Sequence, residues 1–220
     1  IEKVYGDIEI RNLSFKYNQD SEEVLKNINL KIKKGSSLGI MGKPGAGKST
    51  LISLLFHLFS VDDGKIFVDG NDINSIPLNV LRKSIGYVPQ NSFLFSDTVK
   101  NNIGFSKPLD EITDEEVIDA AKRAGVYDDI TAFADGFNTT VGERGVTLSG
   151  GQKQRVSIAR AILCDPEVLI LDDALSAVDA STEKRILGNI KKEIKDRTAI
   201  LIAHRVSTVK DCDHIIILKD

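Results

Sequence analysis

Residues 42–50 read Gly42, Lys43, Pro44, Gly45, Ala46, Gly47, Lys48, Ser49 and Thr50. A glycine, four variable positions and then Gly-Lys-Ser is the phosphate-loop spacing. Glycines leave the backbone bare enough for successive N–H groups to curl round phosphate oxygens. Lys48 can reach the β- and γ-phosphates of a nucleotide as a point charge, and the Ser49 hydroxyl can ligate Mg²⁺. The flanks agree. Residues 37–41 form a short, mostly apolar run that reads as a buried strand, and residues 51–55 open an apolar helix. The positive end of that helix would face the phosphates. A plain glycine turn needs neither the lysine nor the serine.

Two more stretches carry the same chemistry. Val168, Leu169, Ile170 and Leu171 form a buried-strand run that ends in Asp172. An acid at the carboxyl end of such a strand faces the place where open sheets bind ligands. Asp172 is therefore expected to share a magnesium ion with Ser49. Further upstream, Leu148, Ser149, Gly150, Gly151 and Gln152 precede a helical pattern containing Ile158, Ala159, Ala161 and Ile162. Ser149 with Gln152 makes a capping box. A box does not require two adjacent glycines, whereas paired glycines at a helix start bare its N–H groups toward an anion. A phosphate loop plus a second anion-receiving helix end suggests two half-sites for one kind of nucleotide.

The elements that must position these residues follow from periodicity. Ile8, Ile10, Leu13 and Phe15, and then Ile28, Leu30 and Ile32, alternate as half-buried antiparallel strands. Residues 65–68 and 85–88 are further strands, with Pro77 in the first turn of a short helix between them. From Asp97 to about Phe137 the pattern is helical, with Thr113 capping a helix that Gly125 ends. Strand and helix then alternate: helix 150–163, strand 168–171, helix 180–194, strand 199–202, a short helix and strand 214–218. That rhythm argues for a largely parallel, covered sheet.

Composition sets outer bounds. A chain of 220 residues with 41% hydrophobic and 28% charged residues is ordinary for one globular α/β domain with a subdomain. A net charge of -3 gives no reason to expect a nucleic-acid surface. No apolar run reaches membrane-span length, no secretory leader is expected, and Cys164 and Cys212 lack metal-type spacing, so a reduced, cytoplasmic setting is expected.

With those motifs in order, the sequence resembles the nucleotide-binding domain of an ATP-binding cassette (ABC) transporter along its whole length. Residues 148–152 match that family's signature as they stand. The resemblance implies a phosphate-loop NTPase core with a mostly parallel sheet (about 1–90 and 150–220), an N-terminal antiparallel β subdomain and a helical subdomain (about 91–149). It implies ATP and Mg²⁺ as ligands, with Ser49, Asp172 and Gln90 at the metal. Tyr17 takes the place of the aromatic that stacks on adenine. His204 matches the histidine at the γ-phosphate, and residues 176–179, ending in Asp179, resemble the loop that crosses the dimer interface. Lys48, Gln90, Asp173 and His204 are the implied catalytic group. Two such domains pair head to tail in the family, each ATP lying between one phosphate loop and the partner's signature helix. Residues 141–145 resemble the short exporter loop that touches the coupling helices of the membrane domain, and residues 91–102 are also similar to exporters. The expectation is thus an exporter motor at the cytoplasmic face of a membrane, taken apart from its transmembrane domain. A soluble ABC ATPase of DNA repair or translation, and a regulatory ATP-binding module, are the alternatives.

One residue departs from the pattern. Asp173 stands where the family has glutamate as general base. The carboxylate is drawn back by one methylene, roughly 1.3–1.5 Å of reach. The chain's own loop site is therefore expected to bind ATP but to hydrolyse it slowly.

Overall fold

The computed structural model describes residues 1–108, 111–142, 145–193 and 197–219, with the backbone alone at 192 and 193. The chain divides into two compact units. The first comprises Ile1–Ile85, Glu167–Asp172 and 197–219, and the second comprises Gly86–Pro166 and Asp173–Glu193.

In the first unit the alternating N-terminal runs form β1 (Ile8–Phe15) and β2 (Leu25–Ile32), which pair antiparallel. Ile8 faces Ile32 and Ile10 faces Leu30, so the apolar positions of the two strands share one side. On its other edge β1 takes β4 (Ile66–Val68), followed by β5 (Asn71–Asp72), in the order β2-β1-β4-β5. Between them β3 (Ser37–Gly42) leads through the glycine loop into α1 (Lys48–Leu55).

A second sheet of this unit is parallel and runs β7 (Val168–Asp172), β8 (Thr198–Ile202), β3, β9 (His214–Leu218). Every residue of β7 and β8 is buried. This is why both strands read as continuous apolar runs rather than alternating ones. Ile170 pairs with Ile200, Leu38 with Ile200 and Ile40 with Ile216, stacking branched side chains in rows. Leu51 and Leu54 of α1 join the same core. The helix α2 (Leu78–Lys83) starts one residue later than the sequence suggests. Pro77 has φ -56° but an extended ψ of 130°, which makes it the cap rather than the first helical residue. The strand β6 (Ile85–Val88) carries the chain into the second unit.

The second unit is helical: α3 (Val99–Gly104), α4 (Asp114–Arg123), α5 (Tyr127–Thr131), α6 (Gly150–Leu163) and α7 (Ala180–Glu193). Within this unit α6 packs on α3 and α4, and α7 packs on α4. α4 opens on a complete capping box, in which Thr113 accepts from the Glu116 amide and Glu116 accepts from the Thr113 amide. Three acids in its first turn and Lys122 and Arg123 in its last complement the helix dipole. Gly125, at φ 69°, follows the C-cap in the left-handed conformation that ends helices. Among the described residues, no helix is long and apolar enough to cross a membrane.

Losing the α4 cap is the local test of this unit. Thr113→Ala should lower unfolding free energy by about 1 kcal/mol, read from the shift of the denaturant midpoint followed by far-ultraviolet circular dichroism.

Candidate nucleotide site

On the first unit the site is built at the carboxyl ends of β3, β8 and β7. Gly47 caps α1 at φ 87°, and a Cβ there would lie 2.7 Å from Leu25 and 3.0 Å from the Val24 carbonyl. Only glycine takes that turn and that contact together. No side chain caps α1 and no acid occupies its first turn. The contrast with α4 is informative, because that start is closed by a capping box and carries three acids in its first turn. The first amides of α1 have no partner within the helix. They are left to an anion, which is the condition a phosphate needs.

Lys48 is buried, and its ammonium donates to the Gly42 carbonyl at 2.7 Å and the Lys43 carbonyl at 2.8 Å. The cation is thus held inside the loop. Ser49 is exposed at the start of α1, and Asp172 is buried at the end of β7. β8 alone separates β7 from β3, so both residues stand on one edge of the sheet. No group of three or more His, Cys, Asp or Glu able to hold a metal occurs among the described residues. One carboxylate and one hydroxyl suit Mg²⁺, which arrives with substrate phosphates and keeps several waters, rather than a dedicated metal cage.

His204 is exposed just past β8, where the Ala203 amide donates to the Ile40 carbonyl at 3.2 Å. With Gly42, Lys43 and Leu218 it lines a cavity of about 590 Å³. Tyr17 is half exposed, its ring edge-on to Phe15 and to Phe59 with centroids 5.2 and 5.1 Å away. Its hydroxyl lies 2.8 Å from Thr50 Oγ1. The ring is held by these contacts and its hydroxyl, and with 47% of the residue exposed it keeps surface that can stack on a base.

The second unit gathers the remaining candidates. Gln90 Nε2 donates to Asp173 Oδ2 at 3.4 Å. α6 opens on the box read from sequence: Ser149 accepts from the Gln152 amide, and Gln152 Oε1 accepts from the Ser149 amide. That box leaves the amides of Gly150 and Gly151, first in the helix, facing outward at an exposed start. Asp179 caps the following turn, accepting from the Ser181 hydroxyl and from the Ser181 and Thr182 amides. Those bonds, the Ser181 hydroxyl foremost, hold its carboxyl far below the usual range, so it is anionic at neutral pH.

Sequence reasoning missed the supports of α6. Asp129 on α5 accepts from Gln152 Nε2 at 3.0 Å and pairs with Arg155 at 2.8 Å, while Arg155 also donates to the Gly125 carbonyl at 2.7 Å. Asn102, buried on α3, donates to the carbonyls of Phe95 and Thr98 and accepts from Arg160. The Asp129, Gly125 and Arg160 contacts join residues 23 to 58 positions apart, and no local spacing announces them. Of the loop 141–145, residues 143 and 144 lie outside the described residues, as does residue 194 of the helix expected over 180–194.

A parallel sheet feeding a glycine loop into a helix, with an acid at the end of a neighbouring strand, defines a phosphate-loop nucleotide-binding fold. Residues 25–176 match the ABC transporter family. The chain belongs to that family. It is 43% identical over 219 residues to a putative multidrug export ATP-binding/permease protein of Bacillus subtilis, covering 100% of this chain and 37% of that protein. A leukotoxin translocation ATP-binding protein of Mannheimia glucosida is 45% identical over 217 residues, covering 99% of this chain and 30% of that protein. Human ATP-binding cassette sub-family B member 5 is 44% identical over 220 residues, 17% of its length. Among solved structures, a bacterial Atm1-family ABC exporter with ATP bound superposes with a TM-score of 0.92 at 40% identity, covering all of this chain and 38% of that one. The chain thus spans well under half the length of these relatives.

Removing the loop cation tests the phosphate assignment. Lys48→Ala should cost roughly 10- to 150-fold in ATP affinity, since a charge-assisted contact is worth roughly 1.5–3 kcal/mol and every 1.4 kcal/mol is tenfold. Equilibrium binding of a fluorescent ATP analogue measures it, and unchanged affinity would refute the assignment.

Proposed function

We propose that this chain is the ATP-binding and ATP-hydrolysing motor domain of an ABC exporter. It works with Mg²⁺ at the cytoplasmic face of a membrane and pairs head to tail with a second nucleotide-binding domain. The observation that carries the reading is the presence of two helix starts suited to an anion, α1 behind the glycine loop and α6 behind Ser149. Each start has half of what a triphosphate requires. A γ-phosphate held between the loop of one domain and the Gly150 and Gly151 amides of another would bridge two positive helix ends. Hydrolysis and loss of that group would remove the charge that keeps the pair closed.

A membrane partner is supported by a groove of about 500 Å³ on the second unit, lined by Phe93, Phe95, Val141, Gly142 and Leu148. Phe93 and Phe105 are 65% and 58% exposed and flank Phe95 in one aromatic cluster, Phe105 stacked on its ring and Phe93 perpendicular to it. Exposed aromatics clustered this way mark a protein contact rather than a solvated face. The similar proteins' names mention multidrug export and leukotoxin translocation. Their cargoes differ while the cassette stays alike, which supports cargo selection by the membrane portion.

Asp173 bears on turnover. Its backbone is left-handed at φ 47°, a conformation aspartate tolerates better than longer acids. The same short side chain holds the carboxylate back from an attacking water, and a group displaced by about 1 Å can lose on the order of 100-fold in rate. In a pair whose other member carries glutamate, this chain would supply a slow site together with an intact signature for its partner. Asp173→Glu should raise the single-turnover hydrolysis rate roughly 10- to 100-fold while lowering thermal stability slightly. Equal rates in the two proteins would sink the slow-site reading, and turnover that stays negligible in both would favour a regulatory ATP-binding module.

A further inference from the structure

Gln154 is a polar residue buried in α6, 5% exposed, and none of the motifs above includes it. Both polar atoms of its side-chain amide are engaged. Nε2 donates to Ser176 Oγ at 3.1 Å and to the Asp173 carbonyl at 3.5 Å, while Oε1 accepts from the Ala177 amide at 3.1 Å. The Asp173 carbonyl also accepts from the Ser176 amide at 3.1 Å, so these groups form one turn with Gln154 across its open side. Gly151 sits beneath that turn, where a Cβ would lie 3.0 Å from the Ala177 carbonyl, and a Cβ on Gly150 would lie 3.4 Å from the Ala177 side chain. Positions 150, 151 and 154 share a helix face. That face carries residues 173–177.

We infer that Gln154 is a positioning residue: it fixes the turn that presents Asp173 and thereby ties that acid to the helix start bearing Gly150 and Gly151. The inference rests on Asp173 being the base of the chain's own site. A left-handed aspartate is not held by secondary structure, so its carboxylate goes where the turn goes. The turn is held by a side chain with a buried donor and acceptor, and burying such an amide without partners is costly. Gln154 therefore stays engaged, and any shift of the α6 start moves Asp173 with it. In a head-to-tail pair the α6 start serves one nucleotide and Asp173 the other. Gln154 is the covalently short route between them: three hydrogen bonds within a single side chain.

The test uses the full-length protein and reads ATP affinity and single-turnover hydrolysis separately. Gln154→Leu keeps the bulk but removes all three bonds, and should lower the rate roughly 10- to 100-fold while ATP affinity stays within about twofold. Gln154→Glu keeps the acceptor for the Ala177 amide and loses the Nε2 donor to the Asp173 carbonyl and to Ser176 Oγ; its rate should fall between those of the leucine variant and the unchanged protein, and it carries the test if the leucine variant does not fold. Asp173→Asn is the reference. If it slows hydrolysis and neither Gln154 variant does, the positioning role is overturned while the base survives. If Asp173→Asn leaves the rate unchanged, both readings fall. Parallel losses of affinity and rate in the Gln154 variants would mark a merely structural residue and also overturn the inference.

Discussion

The first amides of an α-helix have no partner inside the helix, and something must satisfy them. This chain answers that constraint in two ways. α4 satisfies its start internally, with Thr113, Glu116 and a first turn of acids, and nothing about that end invites a ligand. α1 does the opposite: glycine caps it, no side chain covers it, and a buried lysine waits on the carbonyls of the loop before it. α6 stands between the two, its box occupying the Gln152 amide and leaving the two glycines ahead of it bare. The surrounding structure can be understood as the scaffolding these ends need. The buried strands β3, β7 and β8 hold the loop and Asp172 on one sheet edge, and Asp129 with Arg155 fixes the start of α6 from below.

Much of this was legible before any coordinates, and the reasons are local. β7 and β8 announce themselves because burial on both faces removes alternation. The Thr113 and Ser149 boxes span only four residues each, so spacing alone reveals them. Pro77 went astray by one position, because the identity of a proline fixes φ and leaves ψ open. What stayed hidden depends on tertiary partners. Gln154 reads as an ordinary polar helical residue next to Lys153, and its partners lie 19 to 23 residues away in sequence. Asn102 and Arg160 are separated by 58 positions and meet only because α3 packs on α6.

Glutamate and aspartate at position 173 differ by one methylene, yet that difference meets two demands that pull in opposite directions. The backbone is at φ 47°, where a residue with a Cβ is strained by roughly 1–2 kcal/mol unless its side chain is short and polar. Aspartate eases that strain. The chemistry asks instead for reach, since a base must come within hydrogen-bond distance of the proton it takes. Gln90 already lies against Asp173 Oδ2 at 3.4 Å, and Gln154 holds the carbonyl of the same residue. With one amide on the carboxylate and another on the backbone, the acid has little freedom to make up lost length by moving. A relaxed turn and a shortened acid are then one property of the chain, and the proposed slow site rests on that coupling: the side chain that eases this backbone is also the one with the shorter reach.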